Sequence, residues 1–372
     1  MEKIKVLIVD DSVVVRRIIS DTLSTDPALE IVGIAANGHI ALEKIARLKP
    51  DVITLDIEMP VMDGLQTVVE VRKLYPRLPV IMFSTLTERG ARASLDALAL
   101  GANDYVTKPS NVGSVGEAMQ CLRDDLIPKI KALCGLPEVR KVIEKPRSTV
   151  APVEAVKRSP VIRAGKKERV DVVAIGISTG GPNALAEVIP GIPADFPVPI
   201  VIVQHMPPVF TRLLAERLDS KAAIKVYEGA AGACVEPGHV CLAPGDFHMQ
   251  VEGSGGSLKI KLNHDAQENS CRPAVDVLFR SVANSFGPNV LAVIMTGMGQ
   301  DGLIGCEHIR KAGGQIIVQD EPSSVVWGMP GAVSRAGLAD QTLPLGGLAA
   351  EITNRVSYGR SYAPAAHQAV RL

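Results

Sequence analysis

The sequence predicts an α/β protein built from two doubly wound domains, each with helices on both faces of a parallel sheet. Twice along its 372 residues, short apolar runs alternate with amphipathic stretches, first up to residue 136 and again from residue 170. This alternation is typical of successive β/α units. Hydrophobic residues make up 47% of the chain and aromatic residues only 3%, which favours α/β layers over a β-sandwich.

The first predicted domain, residues 1–136, contains five β/α units. Its apolar runs, expected to be strands, are residues 4–9, 31–35, 52–55, 79–83 and 105–106. The amphipathic stretches, expected to be helices, are residues 13–23, 39–48, 65–74, 89–100 and 115–133. Five such units with short connections predict a parallel, flavodoxin-like sheet of five strands.

Residues 137–169 interrupt the pattern and are predicted to form a basic, proline-containing linker. Ten Lys or Arg residues lie between positions 140 and 169, against three Glu residues, and prolines stand at positions 146, 152 and 160. A solvated, fairly extended spacer fits this composition. A polybasic binding segment is the alternative interpretation of the same charges.

The second predicted domain, residues 170–357, resumes the alternation on a Rossmann-like plan. A mainly parallel sheet is expected from the apolar runs at residues 172–175, 200–203, 224–226, 240–243, 291–295 and 316–318. Helical stretches include residues 209–218, 275–286 and 303–312. Residues 249–262, interrupted by five Gly and Ser residues, predict an inserted β-hairpin. Residues 358–372 are expected to be a flexible tail.

The charge balance and the cysteine spacing argue against several classes of protein. The 40 basic and 40 acidic residues cancel, so no overall field favours nucleic acid. The six cysteines show no metal-site spacing, and no apolar run is long enough to span a membrane. We therefore expect a cytoplasmic, monomeric protein that neither binds nucleic acid nor inserts into a membrane.

Polar side chains at the strand ends of the first domain predict a phosphoryl-transfer site. Asp10 and Asp11 follow the first strand, Asp56 follows the third, and Ser84 and Lys108 come after the fourth and fifth. These strand ends meet at one edge of a parallel sheet, where three carboxylates repel one another unless a cation such as Mg²⁺ intervenes. Taken singly, each of these residues is better explained as a loop or helix cap. Together they favour an aspartate nucleophile, with a lysine and a serine to hold the phosphate.

Residues 4–125 resemble a two-component receiver domain through these residues, the run 56–60 (DIEMP) and the pair Lys108-Pro109. The resemblance implies phosphorylation of Asp56 by a histidine kinase that serves as phosphodonor. The Mg²⁺ ligands that it implies are Asp10, Asp11, Asp56 and, through its carbonyl, Glu58. It also implies a cis bond before Pro109, a movable Tyr105 and a Ser84 that is drawn toward the phosphate.

In the second domain the most informative segment is the strand end at Ser178. An apolar run leads into the glycine-flanked segment 176–181 (GISTGG), and Pro182 suits the first turn of a following helix. A serine on such a sharp turn is exposed as a nucleophile, with helix N–H groups nearby to stabilise an oxyanion. A phosphate-binding loop or a simple helix cap is the alternative. A dinucleotide site would need an acidic residue after the next strand, where the sequence instead has Gln204-His205-Met206.

His205 and Asp301 complete a candidate triad with Ser178. His205 follows the strand after Ser178 and is a candidate general base. Asp301 lies in the glycine-rich loop 296–302 after another strand, where it can hold His205 in the tautomer that accepts the serine proton. Capping of the next helix is the alternative role for Asp301, and both roles can hold together.

Four motifs of the second domain resemble those of one enzyme family. They are IGISTGG at 175–181, QHM at 204–206, RPAVD at 272–276 and TGMGQDG at 296–302. The family is that of CheB, the chemotaxis protein-glutamate methylesterases, and the resemblance extends over residues 170–356. The resemblance implies no cofactor for the esterase reaction. The sequence departs from the family at Ile177, where the family often has alanine. The roles that it implies are Ser178 as nucleophile, His205 as base, Asp301 as orienting carboxylate and the Met298 N–H as oxyanion donor.

The order receiver, linker and esterase also matches that family and implies a response regulator with an enzymatic output. The implied reactions are hydrolysis of glutamate methyl esters on chemoreceptors and deamidation of receptor glutamines. We expect the receiver to cover the catalytic face until Asp56 is phosphorylated. A DNA-binding transcriptional regulator is one alternative, but the sequence has no basic recognition helix. A catalytically dead scaffold is another, and the intact Ser/His/Asp set argues against it.

Overall fold

The computed structural model describes residues 3–108, 115–135, 169–234, 236–252 and 259–360, which form two α/β units. The first contains a five-stranded sheet in the order β2-β1-β3-β4-β5, and all neighbouring strands are parallel. Its strands are β1 Ile4–Val9, β2 Leu29–Ala35, β3 Val52–Asp56, β4 Val80–Ser84 and β5 Asp104–Thr107. Its helices are α1 Val13–Leu23, α2 Gly38–Leu48, α3 Gly64–Leu74, α4 Glu88–Ala99 and α5 Val115–Leu133.

The first sheet is covered by helices on both faces. The central strands β3 and β4 are buried along their whole length. Alternate residues of β1 enter different cores, because successive side chains of a strand point to opposite faces: Leu7 belongs to one core and Val6 and Ile8 to the other. Apolar runs without alternation are expected of parallel strands buried in this way.

The second unit contains a seven-stranded sheet in the order β14-β13-β12-β6-β7-β9-β8, again parallel throughout. Its strands are β6 Val172–Ile177, β7 Ile200–Gln204, β8 Lys225–Glu228, β9 His239–Leu242, β12 Val290–Ile294, β13 Gln315–Gln319 and β14 Gln341–Leu343. The antiparallel hairpin is β10 His248–Glu252 with β11 Lys259–Asn263. The helices are α6 Gly181–Val188, α7 Phe210–Asp219, α8 Val275–Phe286, α9 Leu303–Lys311, α10 Met329–Arg335 and α11 Leu345–Ser357.

The predicted fold class is confirmed, including the five-stranded sheet, the second parallel sheet and the inserted hairpin. The apolar pattern did not reveal β14, which has only three residues and little burial. The domain limits stay a prediction, since most of the linker 137–169 and of the tail 358–372 lies outside the described residues. No helix of the described part is long and apolar enough to cross a membrane.

The two units begin their helices differently. In the first unit, α1 to α4 each start with a side-chain cap, from Ser12, Asn37, Asp63 and Thr87 respectively. In the second unit, none of α6 to α11 receives a hydrogen bond from the side chain of its own N-cap residue. The first N–H groups of these helices therefore depend on other parts of the chain or stay available to ligands.

Candidate active site

The acidic residues at the edge of the first sheet lie together. One carboxylate oxygen from each of Asp10, Asp11 and Asp56 lies within 4.8 Å of the other two. Lys108 Nζ is 3.1 Å from Asp10 Oδ2 and 2.8 Å from Asp56 Oδ1. Burial raises the pKa of Asp56 to about 6; Asp10 adds to the rise and Lys108 opposes it. One ammonium therefore only partly compensates the negative charge of this cluster.

The donor set of the cluster fits Mg²⁺. Asp10 Oδ2 is buried and accepts no well-directed hydrogen bond from the described residues, although Lys108 Nζ is close. Such an oxygen, beside two further carboxylates, suits a hard divalent cation. The side chain of Glu58 pairs instead with Arg89, with Nε and Oε1 3.1 Å apart. The Glu58 carbonyl as a metal ligand stays a prediction.

Ser84 and Tyr105, the two predicted switch residues, are engaged away from the acidic cluster. The Ser84 hydroxyl donates to the Gly90 carbonyl in α4 at 3.0 Å. Tyr105 is buried, and its ring stacks on Phe210 of α7, with 4.6 Å between centroids and 7° between planes. Movement of Ser84 toward a phosphate would break its bond to α4. The predicted cis bond before Pro109 lies outside the described residues.

Ser178 lies on a sharp turn between β6 and α6. Gly180 adopts φ +78°, and a Cβ there would come within 2.6 Å of Val325, so the position requires glycine on both grounds. The Ser178 N–H donates to the Thr296 carbonyl at 3.0 Å, which ties the turn to the glycine-rich loop. A Cβ on Gly297 of that loop would lie 2.8 Å from Ser178 Cβ. The loop therefore packs directly against the serine.

His205 and Asp301 form the pair predicted from the sequence. In the sheet, β6 lies between β7, which precedes His205, and β12, which precedes the loop of Asp301. His205 Nε2 lies 2.8 Å from Asp301 Oδ2. Asp301 also accepts the N–H groups of Val275 (2.6 Å) and Asp276 (3.0 Å) at the start of α8. Burial raises the pKa of Asp301, but His205 and these N–H groups outweigh it and hold the pKa below its ordinary value. An ionised Asp301 can only accept a hydrogen bond, so the proton of the neutral His205 ring lies on Nε2.

The other ring nitrogen of His205 faces Cys271, a residue that the sequence analysis did not single out. Cys271 Sγ lies 3.5 Å from Nδ1, and no hydrogen bond joins Ser178 Oγ to His205 among the described residues. Burial lowers the pKa of His205, but Cys271 and Asp301 outweigh burial and raise it to about 10. The only signal in the sequence was the position of Cys271 directly before the RPAVD motif.

Asn269 and Asp276 hold Asp301 from its other side, and neither was assigned a role from the sequence. Asn269 Nδ2 donates to Asp301 Oδ1 and to Asp276 Oδ2, both at 2.9 Å. Asp276 Oδ1 accepts the Gly305 N–H in the first turn of α9 at 2.6 Å. Asp301, which precedes α9, thus caps α8, and Asp276, which belongs to α8, caps α9. Asp301 Oδ1 also accepts the N–H of Gly302, the residue before α9, at 2.9 Å, so the alternative role at the start of α9 and the pairing with His205 occur together.

The Met298 N–H, the predicted oxyanion donor, forms no backbone hydrogen bond with the described residues. The preceding carbonyl, that of Gly297, accepts the N–H groups of Gly328 (3.0 Å) and Met329 (2.9 Å), which fixes the orientation of this peptide. A fixed, unengaged N–H near the nucleophile is what stabilisation of an oxyanion requires. The role of Met298 stays a prediction.

The first unit contacts the second close to the serine turn. Asn183 Nδ2 in α6 donates to the Leu98 carbonyl of α4 at 2.8 Å. Arg217 of α7 pairs with Asp96 of α4, also at 2.8 Å. The stack of Tyr105 on Phe210, described above, joins β5 to α7. Because α6 begins three residues after Ser178, the α4–β5 face of the first unit lies beside the nucleophile.

Comparisons with known proteins agree with this two-part arrangement. Residues 173–352 match the family model described as CheB methylesterase, and residues 6–120 match the response regulator receiver domain. A protein of Trichodesmium erythraeum is 51% identical over 356 residues, covering 96% of this chain and 100% of its own length. A protein of Nocardioides sp. is 50% identical over 362 residues, with 97% of each chain covered. Both are named protein-glutamate methylesterase/protein-glutamine glutaminase.

Two solved structures from Thermotoga maritima each match one part of the chain. The CheB methylesterase catalytic domain is 42% identical, covers 50% of this chain and 99% of its own, and gives a TM-score of 0.49. The CheB response regulator domain is 39% identical, covers 37% of this chain and 99% of its own, and gives a TM-score of 0.33.

Proposed function

Because the chain belongs to the CheB methylesterase family, we propose that it hydrolyses glutamate methyl esters on chemoreceptors through Ser178, His205 and Asp301. The observation that carries this proposal is the His205–Asp301 pair, 2.8 Å apart, at the sheet edge that also carries the Ser178 turn. Ser178, His205 and Asp301 come after β6, β7 and β12 respectively, and β6 lies between the other two strands in the sheet, which supports the proposal. Nucleophile, base and orienting carboxylate are the parts that acyl transfer to a serine needs.

In the acylation step, Ser178 Oγ attacks the carbonyl carbon of the γ-methyl ester. Asp301 fixes the proton on His205 Nε2, so Nδ1 accepts the proton of Ser178. The negative charge that forms on the carbonyl oxygen is stabilised by the Met298 N–H. The tetrahedral intermediate then expels methoxide, which takes the proton from His205 and leaves as methanol.

Deacylation repeats these steps with water in place of the serine. His205 removes a proton from water as the water oxygen attacks the acyl-serine. The bond to Ser178 Oγ then breaks, Ser178 takes the proton back from His205, and the receptor is released with a free glutamate side chain. Attack on a glutamine side chain follows the same route with ammonia as the leaving group. The deamidase activity in the names of the relatives thus requires no additional residue in this chain.

The first domain regulates this reaction through phosphorylation of Asp56 by a histidine kinase. Mg²⁺ held by Asp10, Asp11 and Asp56 would neutralise the charge of the incoming phosphoryl group. Lys108, 2.8 Å from Asp56 in the resting site, then pairs with the phosphate. Ser84 leaves the Gly90 carbonyl for the same phosphate, which loosens α4 and its contacts with α6 and α7. The catalytic face opens, and the protein acts as a cytoplasmic monomer on the receptors.

The test is release of labelled methanol from methylated receptor membranes, with and without a small-molecule phosphodonor and Mg²⁺. The wild-type protein releases methanol, and more rapidly with the donor. The Ser178→Ala protein releases none above background, whereas Ser220→Ala, a change at an exposed serine at the end of α7, behaves as wild type. Absence of methanol release from the wild-type protein under both conditions would instead support a receptor-binding scaffold.

A further inference from the structure

His205 is bonded at both ring nitrogens in this structure, and neither partner is the nucleophile. Asp301 Oδ2 lies 2.8 Å from Nε2, and Cys271 Sγ lies 3.5 Å from Nδ1. An ionised Asp301 keeps a proton on Nε2, so Nδ1 is the only nitrogen that can accept a proton from Ser178. Cys271 Sγ, 3.5 Å away, is the atom that occupies the hydrogen-bonding position at that nitrogen.

We propose that Cys271 is a positioning residue that restrains the base: it holds Nδ1 of His205, and Ser178 is deprotonated only after this contact is broken. The inference rests on the proposed role of His205 as general base. Cys271 itself takes no part in acyl transfer. It affects how readily His205 becomes available as a base from the resting state.

The turn that carries Cys271 is built to hold the thiol in place. The backbones of Glu268 and Cys271 exchange two hydrogen bonds, at 3.2 and 2.9 Å. Asn269 and Ser270 between them adopt φ +52° and +61°, a left-handed conformation that non-glycine residues keep only where their surroundings enforce it. Glu268 is bound by both terminal nitrogens of Arg280 in α8. The same turn presents Asn269 to Asp301, so one element sets the partners at both ends of the His205–Asp301 pair.

The two side chains that contact His205 directly favour its protonated form in the resting state. Cys271 and Asp301 contact the ring directly, and Asp276 adds negative charge behind Asp301. Their combined effect outweighs burial and raises the pKa of His205 to about 10, so the base form is scarce at neutral pH. From the first domain, Lys129 of α5 lies near Cys271; burial lowers the pKa of Lys129, but Asp104 and Asp125, with a smaller contribution from Cys271, raise it. Removal of the thiol should therefore lower the pKa of His205 and increase the fraction available as base.

The experiment compares wild type with Cys271→Ala and Cys271→Ser in full-length protein. Methanol release is measured with phosphodonor and Mg²⁺ present, across the neutral and alkaline range. We expect Cys271→Ala to move the acidic limb of the kcat/KM profile to lower pH. At a fixed pH on that limb, kcat rises about tenfold for every pH unit by which the limb moves, while KM is unchanged. Cys271→Ser keeps a hydrogen-bonding side chain that is less acidic than a thiol. The acidic limb of its kcat/KM profile should therefore lie between those of wild type and Cys271→Ala.

Cys234→Ala, which removes an exposed thiol, is the matched control and should leave the profile unchanged. Melting temperatures show whether a variant is folded, and the serine variant keeps the test open if alanine destabilises the turn. An unchanged limb, or a lower kcat in both folded Cys271 variants, would overturn the inference while the proposed function stands. Activity that persists in a Ser178→Ala, Cys271→Ala double variant would overturn the proposed function itself.

Discussion

Helices α1 to α4 of the first domain are capped locally, whereas α8 and α9 beside the esterase site are capped by residues distant in sequence. Asp63 caps α3 and forms a reciprocal pair with Gln66, three residues on. By contrast, Asp301 binds the first N–H groups of α8, and Asp276 of α8 binds that of Gly305 in α9. Local caps stabilise one helix each. Exchanged carboxylates join two helices and bring a buried negative charge to His205.

This difference shows how the two domains use a similar layered fold. In the first domain, Asp56 is not among the residues that cap α1 to α4, so it can gain a phosphate while these helix caps remain. In the second domain, the same carboxylate binds the first N–H groups of α8 and contacts His205, the proposed base. A change in Asp301 should therefore affect both the stability of α8 and catalysis. In the first domain, by contrast, a helix cap and the phosphorylation site can be changed independently.

The largest effect is expected from Ser178→Ala, which removes the group on which both esterase steps depend. Turnover should fall about 10⁶-fold, as for other serine triads, while the fold is retained. Methanol release and circular dichroism on the same preparation are the measurements. Activity within about tenfold of wild type would contradict the assignment of the nucleophile, and the proposed link between helix capping and catalysis in the second domain would then lack support.

Asp301→Asn should have the next largest effect, because the amide disturbs both functions of the carboxylate. The productive tautomer of His205 is no longer favoured, which costs about 10⁴-fold in turnover in comparable triads. The loss of negative charge at the start of α8 should also lower the melting temperature of the second domain. Activity and calorimetry together test the coupling. A large loss of activity with no change in stability would show that orientation and capping are separable after all.

Asp56→Asn should abolish activation by the phosphodonor and leave the donor-free rate unchanged, since residue 56 lies in the other domain. The lost activation corresponds to the coupling between domains, about 5- to 150-fold for coupling free energies of ~1–3 kcal/mol. Initial rates with and without donor measure it. Asp51→Asn is the matched control, because Asp51 precedes β3 and bonds Lys5 at the opposite edge of the sheet. Donor activation that survives Asp56→Asn would place the phosphorylation site elsewhere.

The smallest effect should come from Asn37→Ala, which removes a local cap. The Asn37 side chain accepts the Ile40 N–H at 3.0 Å, and loss of such a cap costs about 1 kcal/mol of stability. Calorimetry should show a lower melting temperature for the first domain, with the donor-free esterase rate unchanged. His39→Ala, at an exposed position in the same helix, should change stability less. A fall in the donor-free rate with Asn37→Ala would argue against separable capping in this domain.

The sequence predicted those parts of the fold and site that depend on order along the chain. Apolar runs located β1, β3, β6 and β7, and the parallel arrangement then placed Asp56 and Ser178 at strand ends without further information. The family, the enzyme class and the receiver were identified from motifs, and the comparisons confirm them. The positions of His205 and Asp301 after two strands of one sheet suggested that they could meet, and their side chains lie 2.8 Å apart.

Contacts made by irregular backbone or between domains could not be predicted in this way. Cys271 and Asn269 reach the His205–Asp301 pair through a turn with two left-handed residues, which has no apolar period to detect. The stack of Tyr105 on Phe210 joins domains whose patterns are independent of each other. The exchange of caps between α8 and α9 depends on the packing of those helices, and either carboxylate alone resembles an ordinary helix-start residue.

The exchanged cap also sets an order of events during synthesis of the protein. Translation proceeds from the N-terminus, so the receiver is complete long before the ribosome reaches Asp301, and domains tend to fold as they emerge. Until that residue is made, Ser178 and His205 exist without the carboxylate that orients the base, and α8 lacks the partner of its first N–H groups. A nascent or truncated chain that ends before Asp301 therefore carries its regulator but not a working hydrolase. If Asp301 has its proposed role, the hydrolase becomes complete only after its regulator has been made.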